Sequence, residues 1–134
     1  DEEKSLKEKS GSDNRIIFVG RKEGDALYAW YNIANAFILA SYQESFGAVT
    51  NEALLGGCRC LISKKAGSHC LIEPGINGET FDPYNLYEIK EIIEHEMSTS
   101  NPLKLPLTKR KSLMTIQFGV MFNSVITRLE DDNA

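Results

Sequence analysis

Glu44 and Glu52 stand on either side of a Phe-Gly pair and the start of a helical pattern in "ESFGAVTNEALLGG", residues 44–57. Two carboxylates so placed have two readings. Both can be solvated residues of a helix end, because an acid near a helix N-terminus is worth about 0.3–1 kcal/mol without any ligand. Alternatively, both hold one ligand. A helix beginning near Gly47 offers first-turn N–H groups and the positive end of its dipole, a combination that binds phosphate. Gly47 also lets a ligand approach the backbone closely. Glu52 lies roughly 7–8 Å further along the helix axis, with its side chain leaning back toward the N-terminus. An acid, a phosphate-binding helix end and a second acid suit a diphosphate with hydroxyl-bearing groups at both ends. A nucleotide sugar has that layout.

The elements that must position these groups alternate along the chain. "IIFV" (16–19), ended by Gly20, reads as a short buried strand. Asp25 is a candidate cap for a helix with Leu27, Trp30, Tyr31 and Ala34 on one face. "AFILA" (36–40) reads as a second strand, Gly47 to Leu55 as a helix stopped by Gly56-Gly57, and "CRCLIS" (58–63) as a third strand. Pro74-Gly75 and Asn77-Gly78 mark turns, and "ETF" (79–81) suits one more short strand. Asp82-Pro83 reads as the start of a helix with Leu86, Ile89, Ile92 and Ile93 on one face. "STSNPLKLPLT" (98–108) is a connector. A last helix over about 109–130 carries Met114, Phe118, Met121, Phe122, Val125 and Leu129 as a stripe, weakened at Gly119 by about 1 kcal/mol. Short strands alternating with helices imply an α/β fold, a Rossmann-like parallel sheet with flanking helices. Ligands in such sheets sit at the carboxyl ends of strands, and the loop after "AFILA" is one such place.

Bulk properties narrow the partners. At 134 residues, 42% hydrophobic and 25% charged, the chain suits one soluble domain with a true core. A net charge of −4 argues against a nucleic-acid surface. The short Lys109-Arg110-Lys111 cluster reads as a solvated helix end, with a peripheral membrane contact as the alternative. No apolar run approaches the roughly 20 residues of a membrane span. The opening is charged, without a signal peptide or a first Met, as in a trimmed or proteolytic piece. Cys58, Cys60 and Cys70 lack framework spacing, which suggests a reducing compartment and buried free thiols. With His69 they make a poor zinc set.

These residues resemble the C-terminal, donor-binding domain of retaining glycosyltransferases of the GT-B fold, in particular family four. The resemblance runs through "IIFVG", "ALYAWYNIANAF", "FILAS", "ESFGAVTNEAL", the Gly57 before "CRCLIS" and "INGETFDP". It covers residues 15 to 83 well and the later helices loosely. It implies that Glu44 binds hydroxyls of the transferred sugar as a positioning group, and that Glu52 holds the ribose. It also implies that the backbone of Ser45, Phe46, Gly47, Ala48 and Val49 faces the sugar and diphosphate. The Gly20-Arg21-Lys22 loop is a weaker candidate for the base. Such enzymes use no metal or cofactor. They deliver a hexose with retained configuration, often in polysaccharide or glycoconjugate assembly, and are cytoplasmic, some at the inner membrane face.

Two departures qualify that picture. Where the family has Gly-Gly and then a glutamate after the third strand, this chain has Ala66-Gly67 and Cys70. The diphosphate-gripping Arg and Lys upstream of "IIFVG" and the acceptor-binding N-terminal domain have no counterpart, so the chain reads as the second half of a donor domain. In a 3-2-1-4-5-6 sheet, the strands normally between "IIFV" and "FILA" are then missing. Direct pairing of "IIFV" with "FILA", or strand exchange between copies through an exposed edge, is expected. Two other classes compete: a degenerate non-catalytic interaction module, and a flavodoxin-like signalling domain, for which this chain lacks the acidic phosphate-acceptor cluster at strand ends.

Overall fold

The computed structural model describes residues 2–99. Its centre is a three-stranded parallel sheet, β1 (Ala36–Leu39), β2 (Arg59–Ser63) and β3 (Gly78–Phe81), in that spatial order. The register sets Ala36 against Arg59 and Cys60 against Gly78. Helices α1 (Glu2–Ser10), α2 (Gly24–Ile33), α3 (Ala48–Leu55) and α4 (Leu86–Ser98) complete it, with a 3-10 turn at Gly67–Leu71. None of the described helices is long and apolar enough to cross a membrane.

The central strand explains the core. Side chains alternate across a strand, so Cys60 and Ile62 join Tyr31, Ala53, Leu54, Cys58, Ala66 and Ile72 on one face. Leu61, between them, is equally buried and points away from that cluster. Tyr31 meets Phe37 edge-to-face at 5.8 Å, and the Cys58 thiol donates to its carbonyl at 3.2 Å. α4 is fastened by a fork: the Arg59 guanidinium donates to both Glu96 oxygens at 2.7–2.9 Å.

Several expectations are corrected. Residues 16–19 form no strand, and Ile16 to Val19 are all exposed. A strand exists through its ladder, and among the described residues β1 pairs with β2 alone, so the expected pairing of 16–19 with β1 is absent. α2 starts at Gly24 behind Glu23, with Asp25 in its first turn and not at its cap. Trp30 lies outward at 38% exposure while Tyr31 is buried. Asp82-Pro83 belongs to a turn in which Asp82 Oδ1 accepts the Tyr84 amide at 3.0 Å. α4 begins at Leu86, itself exposed, where Asn85 accepts the Glu88 amide at 3.1 Å. Cys58 and Cys60 are buried free thiols, but Cys70 is exposed on the 3-10 turn. The connector from residue 100 onward and the helix expected over 109–130 lie outside the described residues.

Candidate functional site at the carboxyl edge of the sheet

Beyond Leu39 the chain leaves the sheet and is caught again five residues later, at Glu44. Glu44 makes an isolated parallel bridge with Ala66. Its amide donates to the Lys65 carbonyl at 3.2 Å, and its carbonyl accepts the Gly67 amide at 3.1 Å. The Phe46 carbonyl accepts the Ser68 amide at 2.6 Å. The β1–β2 pairing thus resumes past the sheet, between the loops that follow the two strands. This fixes the backbone of Glu44, Ser45 and Phe46 while their side chains stay exposed.

Gly47 then turns the chain into α3. Its φ is +87°, and it caps the helix without a side chain of its own. The expectation tied Gly47 to close approach of a ligand. The structure shows crowding from within: a Cβ there would meet Ser68 Oγ at 2.9 Å and Leu39 Cδ2 at 3.0 Å. Beneath it Thr50 and Ser68, both buried, share a hydroxyl hydrogen bond of 2.8 Å. The Thr50 amide takes the Gly47 carbonyl at 3.0 Å. The amides at the helix start precede any i−4 carbonyl, and Ala48 and Val49 are exposed there. Glu52 lies half-buried one turn further along the helix.

Seven of the expected site residues, Glu44 through Val49 and Glu52, therefore lie on one loop-to-helix corner. Gly20 and Arg21 lie in the irregular segment before α2, where the Arg21 guanidinium pairs with Glu23 at 2.6 Å. Sequence reasoning missed Thr50, Lys65, Gly67 and Ser68, which hold the corner from below and behind. Gly67 is the tightest of these, since a Cβ would fall on the Ser45 carbonyl oxygen. The signal available was the run of small residues, "AGS", just after a buried strand.

Charge near this edge is organised too. Lys64, directly after β2, pairs with Glu88 at 3.0 Å. The Asp82 amide, then the Lys64 side chain, hold the Glu88 carboxyl below its ordinary value. Deeper down, burial pushes the Cys60 thiol far up, so it stays a neutral core group.

The profile of the family described as "Glycosyl transferases group 1" matches residues 1–108. The chain belongs to this family. Among curated relatives of this glycosyl transferase chain is an uncharacterized glycosyltransferase of Methanocaldococcus jannaschii, 31% identical over 75 residues. That match covers 56% of this chain and 19% of the relative. The serotype-specific mannosyltransferase WbdA of Escherichia coli is 29% identical over 90 residues, 65% of this chain and 10% of that protein. The chain thus spans only a small part of the relatives it matches. In three dimensions it resembles the sucrose-phosphate synthase of Thermosynechococcus elongatus, with a TM-score of 0.71 at 22% identity. That likeness covers 93% of this chain and 34% of that one, and it is a likeness of fold. The group 1 chain has the fold of a GT-B glycosyltransferase domain, in part, as its motifs implied.

Proposed function

We propose that this chain is the nucleotide-sugar-binding portion of a retaining glycosyltransferase that moves a hexose from a nucleoside diphosphate to an acceptor. The observation that carries the reading is the corner from Glu44 to Glu52: two carboxylates around a helix start, the first clamped by its backbone to the loop after β2. In this reading the α3 N-terminus receives the diphosphate, Glu52 takes the ribose hydroxyls and Glu44 orients the transferred sugar. Developing charge on the leaving diphosphate is met by the helix end, with no metal or cofactor required. The similarity to a serotype-specific mannosyltransferase supports mannose as the hexose, and we take polysaccharide or glycoconjugate assembly as the setting. The chain alone is proposed to be inactive in transfer, because it spans so little of its relatives.

The test is ligand-detected NMR with UDP, GDP and ADP on this chain and on Glu52→Ala. One nucleotide should bind, even at millimolar affinity, and Glu52→Ala should abolish the signal. Binding that ignores Glu52→Ala would remove the ribose role, and transfer above background by this chain would contradict its proposed inactivity.

A further inference from the structure

Two tyrosines from different loops meet over the same edge of the sheet. Tyr42 lies in the loop after β1 and Tyr84 in the turn after β3. Their ring centroids are 5.0 Å apart with planes tilted by 30°, yet the residues remain 62% and 68% exposed. An aromatic pair that excludes so little water is a weak device for holding a fold together. Exposed apolar surface rimmed by polar groups is instead the usual mark of a ligand surface.

The Tyr84 mount is firm. The Tyr84 amide is held by Asp82, the Asp82 amide by Glu88, and Glu88 by Lys64 at the end of β2. Tyr42 stands two residues before Glu44, so it lies within about 7 Å of it along even a fully extended backbone. The order of groups from Tyr42 onward then has chemical meaning, given the donor reading on which this inference rests. Glu52 marks the nucleoside end, the helix start the diphosphate, and Glu44 the transferred sugar. The acceptor must stand beside the transferred sugar, so a group within about 7 Å of Glu44 is within reach of it.

We propose that the Tyr42–Tyr84 pair is a stacking platform for a sugar ring of a saccharide acceptor. A pyranose presents a face of C–H groups and a rim of hydroxyls. A tyrosine pair with Gln43 next to Tyr42 in the chain and Asp82 bonded to the Tyr84 amide offers an apolar face with polar groups at hand. A nucleobase would also stack on tyrosine, but the nucleoside belongs at the Glu52 end.

The experiment is saturation-transfer NMR on this chain with mannohexaose and maltohexaose, and separately with UDP and GDP. At least one hexasaccharide should bind. Tyr42→Ala and Tyr84→Ala should each weaken it roughly three- to tenfold, as expected for loss of one aromatic contact, with nucleotide affinity unchanged. Phe at either position should keep most of the binding, and circular dichroism melts identify any variant that has simply unfolded. Nucleotide binding without saccharide binding would overturn the platform and leave the donor reading standing. Tyrosine-dependent saccharide binding without nucleotide binding would support the platform and sink the donor reading. A loss of nucleotide affinity in Tyr84→Ala, with saccharide binding intact, would overturn the platform in favour of a base-stacking site.

Discussion

At the residue scale the candidate site depends on small side chains that hold it shut from behind. The Glu44 side chain is exposed, but both its amide and its carbonyl are engaged by the loop after β2. Gly67 is what permits that approach. A methyl group there would overlap the Ser45 carbonyl oxygen, and a backbone atom cannot swing aside as a flexible side chain would. Gly67→Ala should therefore displace the 44–46 loop and weaken binding of the preferred nucleotide sugar by about tenfold or more, while the core stays folded. Titration by NMR, beside a thermal melt, checks it, and unchanged affinity would show that the loop clamp does not serve the site. Glu44 and Glu52 were legible in the sequence because their spacing around Phe-Gly is local. Gly67, Ser68 and Thr50 were not, because their role lies in a contact across 18 or more positions.

At the scale of elements, two locks decide how the loops around the sheet are held. Asn77 is buried, and its side chain accepts the Glu73 amide at 2.8 Å and donates to the Leu71 carbonyl at 2.9 Å. Asn77→Ala leaves those backbone groups short of partners and should cost about 1–3 kcal/mol, read as a lower midpoint in urea unfolding. An unchanged midpoint would mean that water replaces the amide. The second lock is Glu88, which joins α4 to the Asp82 turn and to Lys64. Its carboxyl is held below the ordinary 4.5, first by the Asp82 amide and then by Lys64. A lowered folded value favours the folded state above the unfolded pKa, and that advantage fades as pH falls through the folded value. Wild type should therefore melt above Glu88→Gln near neutral pH, with the gap closing as acid takes the pH below the ordinary 4.5. A gap independent of pH would refute the charge argument. The sequence placed the helix correctly in kind but started it too early, since an Asp-Pro pair serves a turn as well as a cap.

For the molecule as a whole, the open question is the free edge of β1. Among the described residues it pairs on one side only, and Ile38 there is 44% exposed. An unpaired apolar edge invites association with another strand. We expect weak, concentration-dependent self-association in sedimentation velocity, reduced by Ile38→Lys on the outer face. Identical sedimentation of both proteins at high concentration would exclude the edge as a contact. The sequence by itself determined the three short strands, the parallel α/β class, the Glu44–Glu52 corner and the family. The strands and the corner are written in local patterns, the class in the alternation of strands with helices, and the family in the resemblance of motifs spread over residues 15 to 83. Tertiary structure alone decided that residues 16–19 stay out of the sheet, that Cys70 faces outward and Cys60 inward, and that Tyr42 finds Tyr84. Pairing and burial depend on which partner the rest of the chain supplies, and no local pattern of residues encodes that.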